Sequence, residues 1–211
     1  MAAKAPRKAA IPDAIIDAAL DLAAVQGWHQ TTLTDIAEHA KVSLADLYSH
    51  YPSKTAILAG FSRRVDMQTL SGMDPEDREQ PARERLFDLI MRRFDALGPH
   101  REAVRSILRD AGREPVSMLC MATGPFARSL KWMLEAAEIR TGGLLGPLRI
   151  KGLGFIYLSV MRVWLDDDSE DMAKTMADLD KRLKRAESMM SMAPGRRRRG
   201  DVGGDAAEAA I

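Results

Sequence analysis

The stretch TTLTDIAEHAKVSLADLYSHYPSK, residues 31–54, decides how the rest of the chain is read. Thr32 stands before Leu33, Ile36, Ala37 and Ala40, whose spacing puts them on one helical face, and its hydroxyl is placed to accept a first-turn N–H. Lys41-Val42 leaves room only for a turn. Ser43 repeats the capping arrangement before Leu44, Leu47 and Tyr48. Pro52 disfavours helical geometry at Tyr51, so this second helix stops near His50 after about two turns. Helices that short are not stable alone in water and must be held by their neighbours. Two of them joined by a tight turn form the helix-turn-helix arrangement, which lays side chains against base edges while flanking groups grip phosphates.

The flanking sequence supplies the support. Pro12 suits a first helical turn, and Ile15, Ile16, Ala19, Leu20 and Ala23 share one face until Gly27, which predicts a helix over about 12–26. Ser53 caps a longer helix reaching about Leu70, with Ala56, Ile57, Gly60, Phe61 and Val65 inward. Ser71-Gly72-Met73-Asp74-Pro75 is the natural domain boundary. Beyond it, Leu86, Leu89, Ile90, Phe94 and Leu97 mark an amphipathic helix over about 82–97, ended by Gly98-Pro99. Further helices are expected over about 101–111, 118–139 with an interruption at Gly124-Pro125, 147–166 and 170–190. Ala, Leu, Met, Arg, Glu and Asp dominate while aromatic and β-branched residues are scarce, so the fold class is all-α. The expected organisation is a flexible basic arm (1–11), a helix-turn-helix domain (12–70), a helical ligand-binding and dimerisation domain (75–192) and a disordered tail (193–211).

Residues 31–43 and 47–54 resemble the DNA-binding signature of the TetR family of transcriptional regulators, and the likeness extends over about the first 65 residues. The resemblance implies a three-helix DNA-binding domain followed by a larger sensing and dimerising body, acting as a repressor on a palindromic double-stranded operator. It implies phosphate contacts from Thr32, Tyr48 and Lys54, the last aided by the N–H groups opening its helix. Ser43, Leu44, Ala45, Ser49 and His50 would lie nearest the groove, and Lys41 of the turn is also expected to bind DNA. Two departures stand out: the family commonly has Gly where Lys41 stands, and basic or small polar residues where Leu44, Asp46 and Ser49 stand. The recognition helix carries no Arg or Lys, and Asp46 would meet phosphate unfavourably unless it turns away or accepts from cytosine N4. Residues 1–70 hold seven Lys plus Arg and seven Asp plus Glu, so the domain is not net basic.

In the body, Phe94, Met118, Met121, Phe126, Trp132, Met133, Phe155, Tyr157, Met161 and Trp164 are candidates to line an apolar pocket for a small hydrophobic effector; residues of these types at helical spacing also commonly build core. In the last helix Met172, Met176, Leu179, Leu183, Ala186 and Met190 alternate at spacings of four and three, a heptad seam. Paired with the preceding apolar helix, it predicts a four-helix homodimer interface about a two-fold axis. A second resemblance lies here: Arg149-Ile150-Lys151, Tyr157, the run Val163 to Glu170, and Leu179 to Leu183 are similar to the lipid-binding proteins of ubiquinone biosynthesis. That family implies a TetR-like dimer that holds isoprenoid lipid and no longer binds DNA.

Other classes fit poorly. The formal net charge is +1, so any nucleic-acid binding must be local rather than a bulk electrostatic effect. Lys4, Arg7 and Lys8 either follow a phosphate backbone or form a solvated terminus, and Arg196 to Arg199 read the same two ways. The single cysteine, Cys120, excludes a disulfide framework and suits a reducing cytoplasm. The most apolar run, Leu153 to Leu165, is interrupted by Arg162 and falls short of the roughly 20 residues that span a bilayer. His29, His39, His50 and His100 lack the spacing of metal ligands on one helix face. No phosphate loop or nucleophile motif accompanies them, so neither catalysis nor a cofactor is expected. The run Asp166 to Asp171 lacks the Gly and distant Glu of a calcium loop; Ser169 is expected to cap the last helix, with Glu170 and Asp171 in its first turn.

Overall fold

A computed structural model describes residues 11–73, 79–110, 124–143 and 145–192. Among these residues the chain is helical throughout, without strands: α1 (Ile11–Val25), α2 (Leu33–His39), α3 (Leu44–His50), α4 (Lys54–Ser71), α5 (Ala82–Leu97), α6 (Arg101–Asp110), α7 (Pro125–Ala136), α8 (Gly146–Leu165) and α9 (Ala173–Met192). The two basic segments at the ends of the chain, Cys120, Met118 and Met121 lie outside the described residues.

Local chemistry sets the first four helices. Thr32 accepts from the Asp35 N–H while the Asp35 carboxylate accepts from the Thr32 N–H, at 3.1 and 2.9 Å, a reciprocal capping box. Those bonds hold the Asp35 carboxyl below the usual carboxylate range, the backbone bond at Thr32 contributing most. Ser43 and Ser53 cap α3 and α4 by accepting from the Asp46 and Ala56 N–H groups. Ile15, Ile16, Ala19, Leu20 and Ala23 of α1 pack with Ile36, Ala37, Leu47, Ile57, Phe61 and Val65 into the core of this unit.

Gly98-Pro99 does not end the helical path as expected. Gly98 keeps right-handed helical geometry, and the 3-10 turn Gly98–His100 carries α5 directly into α6. Proline is accepted at the first turn of a new helix because its missing N–H is not needed there.

α5 is central, packing on α4, α7 and α9, while α8 lies against α7 and α9. Phe94 stacks on Tyr157 at 5.3 Å between centroids and on Trp164 at 5.4 Å, and all three are fully buried. At order of magnitude, each such side chain contributes about 1.5–3 kcal/mol by leaving water. Two arginines of α5 are buried with them. Arg85 donates from Nη2 to the Ala137 carbonyl at 2.9 Å and from Nη1 to the Gln80 carbonyl at 2.6 Å. Arg93 donates to Tyr157 Oη at 3.0 Å, to Ser62 Oγ at 3.3 Å, and to Asp66 Oδ1.

α9 starts later than expected, at Ala173 rather than near 170, and Glu170 and Asp171 precede it. The reason is Asp167. Its fully buried carboxylate accepts from the Ser169 N–H and hydroxyl, and from the Thr175 N–H and hydroxyl at 2.8 and 2.7 Å. The chain therefore wraps around Asp167, with Met172 in left-handed geometry at φ 54°, before the helix begins. Burial opposes the charge, but the Ser169 and Thr175 bonds outweigh it and hold this carboxyl far below its usual range.

Candidate functional site

α3 is presented rather than buried. Of its seven residues only Leu47, 1% exposed, enters the core, while Leu44, Ala45, Asp46, Tyr48, Ser49 and His50 all face solvent. Tyr48 is 67% exposed. Tyr51, which closes α3, packs its ring against Gly60 of α4, where an added Cβ would come within 2.7 Å of the ring. Glycine at 60 leaves room for the Tyr51 ring, which would have to shift to admit a larger residue there. Burial, with the Asp13 carboxylate adding to it, raises the Tyr51 phenol above its ordinary pKa.

Lys41, Ser43, Leu44, Ala45, Tyr48, Ser49 and His50 are thus all exposed along the α2–α3 turn and α3, and Thr32 is exposed at the opposite end of α2. Lys41 takes φ 56°, the left-handed geometry in which glycine is at ease. Asp46 turns back rather than outward: its Oδ2 accepts from the Ser43 hydroxyl at 2.6 Å. The Ser49 hydroxyl likewise donates to the Asp46 carbonyl at 2.8 Å.

Lys54, expected as a phosphate ligand, is engaged within the chain. Its Nζ donates to the Trp28 carbonyl at 2.6 Å and lies 4.6 Å from the centre of the Trp28 ring. The side chain is half-buried and ties the start of α4 to the α1–α2 loop. A lysine at a helix start points to anion binding by residue type alone; the carbonyl it reaches is a tertiary neighbour, 26 residues away.

α6 joins this unit to the body. Gly27 adopts φ 95°, and the next two N–H groups turn toward α6: Trp28 donates to Ser106 Oγ and His29 to Asp110 Oδ2, each at 2.9 Å. The opposite side of α6 grips the α8–α9 corner. Arg101 donates to the Asp167 carbonyl at 2.9 Å, and Arg105 to Asp166 Oδ1 at 2.8 Å and to the Leu165 carbonyl. His100 packs edge-on against Phe61 at 5.5 Å, and its burial, then the Arg64 charge, lowers its pKa.

The structure divides the candidate effector-lining residues. Phe94, Met133, Tyr157, Met161 and Trp164 are buried in the body and Phe126 is half-buried against them. Phe155, 71% exposed, points to solvent and lines no interior site. Trp132 is exposed as well and borders a shallow groove with Asp66, Thr69, Leu70, Ser129 and Met133. In the polar cluster of Arg93, Asp66, Ser129 and Tyr157, which joins four helices, only Tyr157 is among the expected site residues. The cluster's signal was present: Arg85, Leu89 and Arg93 recur every four residues, placing both arginines on the stripe that faces the core.

The heptad seam faces the chain's own core. Leu179, 0% exposed, and Leu183 are buried, and Met172 and Met176 pack at the edge of the core, so these residues are not a free interface; Ala186 is half-buried. α5 and α8 of the same chain fill the place expected for a partner. The exposed apolar residues of this end are Leu148, Phe155 and Leu158 on α8, with Met189 and Met190 on α9.

Residues 15–60 match the model of the bacterial regulatory proteins, tetR family, and residues 151–190 match that of COQ9. The fatty acid metabolism regulator protein of Bacillus subtilis (strain 168) is 32% identical over 92 residues, 43% of this chain and 47% of that protein. The match thus spans about half the length of that relative. The crystal structure of a TetR transcriptional regulator from Nitrosomonas europaea ATCC 19718 superposes with a TM-score of 0.68 at 27% identity, covering 84% of this chain and 98% of that one. A TetR transcriptional regulator from Rhodococcus sp. RHA1 shares the fold at a TM-score of 0.58 and 14% identity, over 89% and 99% of the two chains. Residues 15–60 thus carry a tetR-family domain, residues 151–190 a COQ9-like segment, and the described helices share the fold of a TetR transcriptional regulator.

Proposed function

We propose that the chain is a homodimeric repressor that sets α3 in the major groove of a palindromic operator and is released by a small hydrophobic effector. The observation that carries this reading is the presentation of α3: one buried anchor, six solvent-facing residues, and three capped helix starts around it. A helix held this way is available to base edges, with Tyr48 and Thr32 on phosphates and Lys41 at the turn. Asp46, engaged by Ser43, then adds less repulsion at the backbone than the bare sequence implies.

Dimerisation is assigned to the exposed α8 stripe of Leu148, Phe155 and Leu158, the residues that gain from a partner. The effector acts in the body and reaches the DNA-binding unit through α4 and α6. It shifts DNA affinity only to the extent that it binds one arrangement of the two units better than the other. The relative's printed role in fatty acid metabolism supports an apolar effector.

The deciding experiment titrates the full chain against its own upstream DNA and a scrambled duplex of equal length at two salt concentrations. Selective binding that falls at least tenfold with Tyr48→Ala is expected. Equal binding to both duplexes at low salt would overturn the reading. A second reading, a lipid-binding accessory protein of ubiquinone biosynthesis that no longer binds DNA, is favoured by the match over residues 151–190 and by the absence of Arg or Lys on α3. Isoprenoid lipid in an organic extract of the purified protein, together with no selective DNA binding, is its signature.

A further inference from the structure

The peptide group between Trp28 and His29 is bonded on both sides by charged side chains from different helices. Its N–H, that of His29, donates to the Asp110 carboxylate at the end of α6, at 2.9 Å. Its carbonyl, that of Trp28, accepts from the Lys54 ammonium at the start of α4, at 2.6 Å. The bond is trans, and a trans peptide is planar with its N–H and C=O pointing opposite ways, so whatever fixes the N–H also aims the carbonyl. An anionic acceptor on one side and a cationic donor on the other polarise the same amide, and each bond strengthens the other. Lys54 Nζ also lies 4.6 Å from the centre of the Trp28 ring, a second attraction supplied by the same loop. Asp110 is buried, and its helix is tied through Arg101 and Arg105 to the α8–α9 corner.

Lys54 opens α4 just after the presented α3 ends, where a phosphate on that face would meet it, but its ammonium is folded back onto the chain. We propose that Asp110 is a positioning residue that stows Lys54: by holding the Trp28–His29 peptide, α6 decides whether this ammonium stays on the chain or reaches a phosphate. When α6 withdraws Asp110, the His29 N–H loses its acceptor, the peptide turns, and its carbonyl no longer faces Lys54. The neighbouring bond, from the Trp28 N–H to Ser106 Oγ, belongs to the peptide between Gly27 and Trp28 and does not aim that carbonyl. This distinguishes Asp110 from a general fastening of the loop to α6. That the anion is a DNA phosphate rests on the regulator reading; the hold of Asp110 on Lys54 does not.

The test treats the full chain, without DNA, with trace acetic anhydride and reads acetylation of Lys54 against the exposed Lys131 and Lys174 by mass spectrometry. Asp110→Ala is expected to raise labelling of Lys54 about threefold, the net contribution of one hydrogen bond, with the two reference lysines unchanged. Ser106→Ala is expected to leave Lys54 near its wild-type level. The coupling is read from the other side in Lys54→Met. There the His29 amide is expected to exchange with deuterated water about threefold faster while the Trp28 amide keeps its rate. Unchanged Lys54 labelling in Asp110→Ala, an equal rise in Ser106→Ala, or unchanged exchange at His29 in Lys54→Met would each overturn the proposal. If circular dichroism shows that Asp110→Ala does not fold, the Lys54→Met arm decides alone. On the chain's own upstream duplex, Asp110→Ala is expected to bind more tightly, with a salt dependence steeper by about one phosphate contact, and to lose both effects in a Lys54→Met background. Selective binding without that steepening would overturn the DNA consequence. No selective binding by the wild type would remove the regulator reading and leave the labelling to decide the hold on Lys54.

Discussion

The two halves of the molecule are held together by different means. Around α3, single side chains of short reach do the work: Thr32, Ser43 and Ser53 each bond a neighbour three residues on, and Leu47 is the one apolar anchor of its helix. In the body, buried polar groups reach across the fold. Arg93 joins α5 to α4 and α8, Arg85 joins α5 to the end of α7, and Asp167 organises the α8–α9 corner. Around α3 the capping bonds are local and the surface is open, while Lys54 to the Trp28 carbonyl and Arg64 to Asp17 tie the helices of this unit together. A body whose helices must move or stay as one keeps its bonds long-range and buried.

The contrast is tested first where the effect is largest. Arg93→Met strands the Asp66 carboxylate and is expected to cost about 3–5 kcal/mol in chemical denaturation. Adding Asp66→Leu to that variant is expected to regain most of the loss, because a buried pair contributes little net energy once both charges are gone. If the double variant stays as unstable as the single, packing around the pair rather than charge dominates. Leu47→Ala removes the only anchor of α3 and is expected to cost about 3 kcal/mol by the large-to-small rule, with a loss of helical signal confined to the N-terminal unit.

Smaller effects sharpen the same division. Lys41→Gly relieves left-handed geometry at a non-glycine residue and is expected to raise stability by about 0.5–1 kcal/mol, the relief exceeding the added backbone entropy. In the same variant, loss of the cation is expected to weaken DNA binding and flatten its salt dependence by about one phosphate contact. Stability and binding then change in opposite directions. The smallest effect concerns pH. His100 has a lowered pKa in the folded chain, so below its ordinary value of 6.5 the unfolded chain takes up the proton first. Stability is therefore expected to decline as pH falls through 6.5 and to level off below the folded-state pKa. His100→Gln is expected to reduce this slope in thermal melts at pH 5 and 7.

The same division explains what the sequence made legible. The caps of α2, α3 and α4, and the halt of α3 before Pro52, depend on residues within one turn of each other, so spacing alone exposed them. The apolar stripe of α5 was equally visible, but the arginines within it gained meaning only when Asp66 and Tyr157 arrived from elsewhere in the chain. Lys54 suits an anion by residue type, while the Trp28 carbonyl that its Nζ reaches is a partner that spacing cannot show. The seam of α9 misled for a related reason. A heptad pattern says that a helix has an apolar partner and is silent on whether that partner belongs to the same chain.

The two N–H groups that follow Gly27 are bonded to α6 rather than to their own unit. Each is a backbone amide whose acceptor belongs to the other half of the protein, so its exchange with deuterated water reports the parting of the two halves rather than the fraying of α1. Trp28 and His29 are thus an internal gauge. Slowed exchange at both, with rates elsewhere unchanged, marks a ligand that clamps the halves together; quickened exchange marks one that pries them apart.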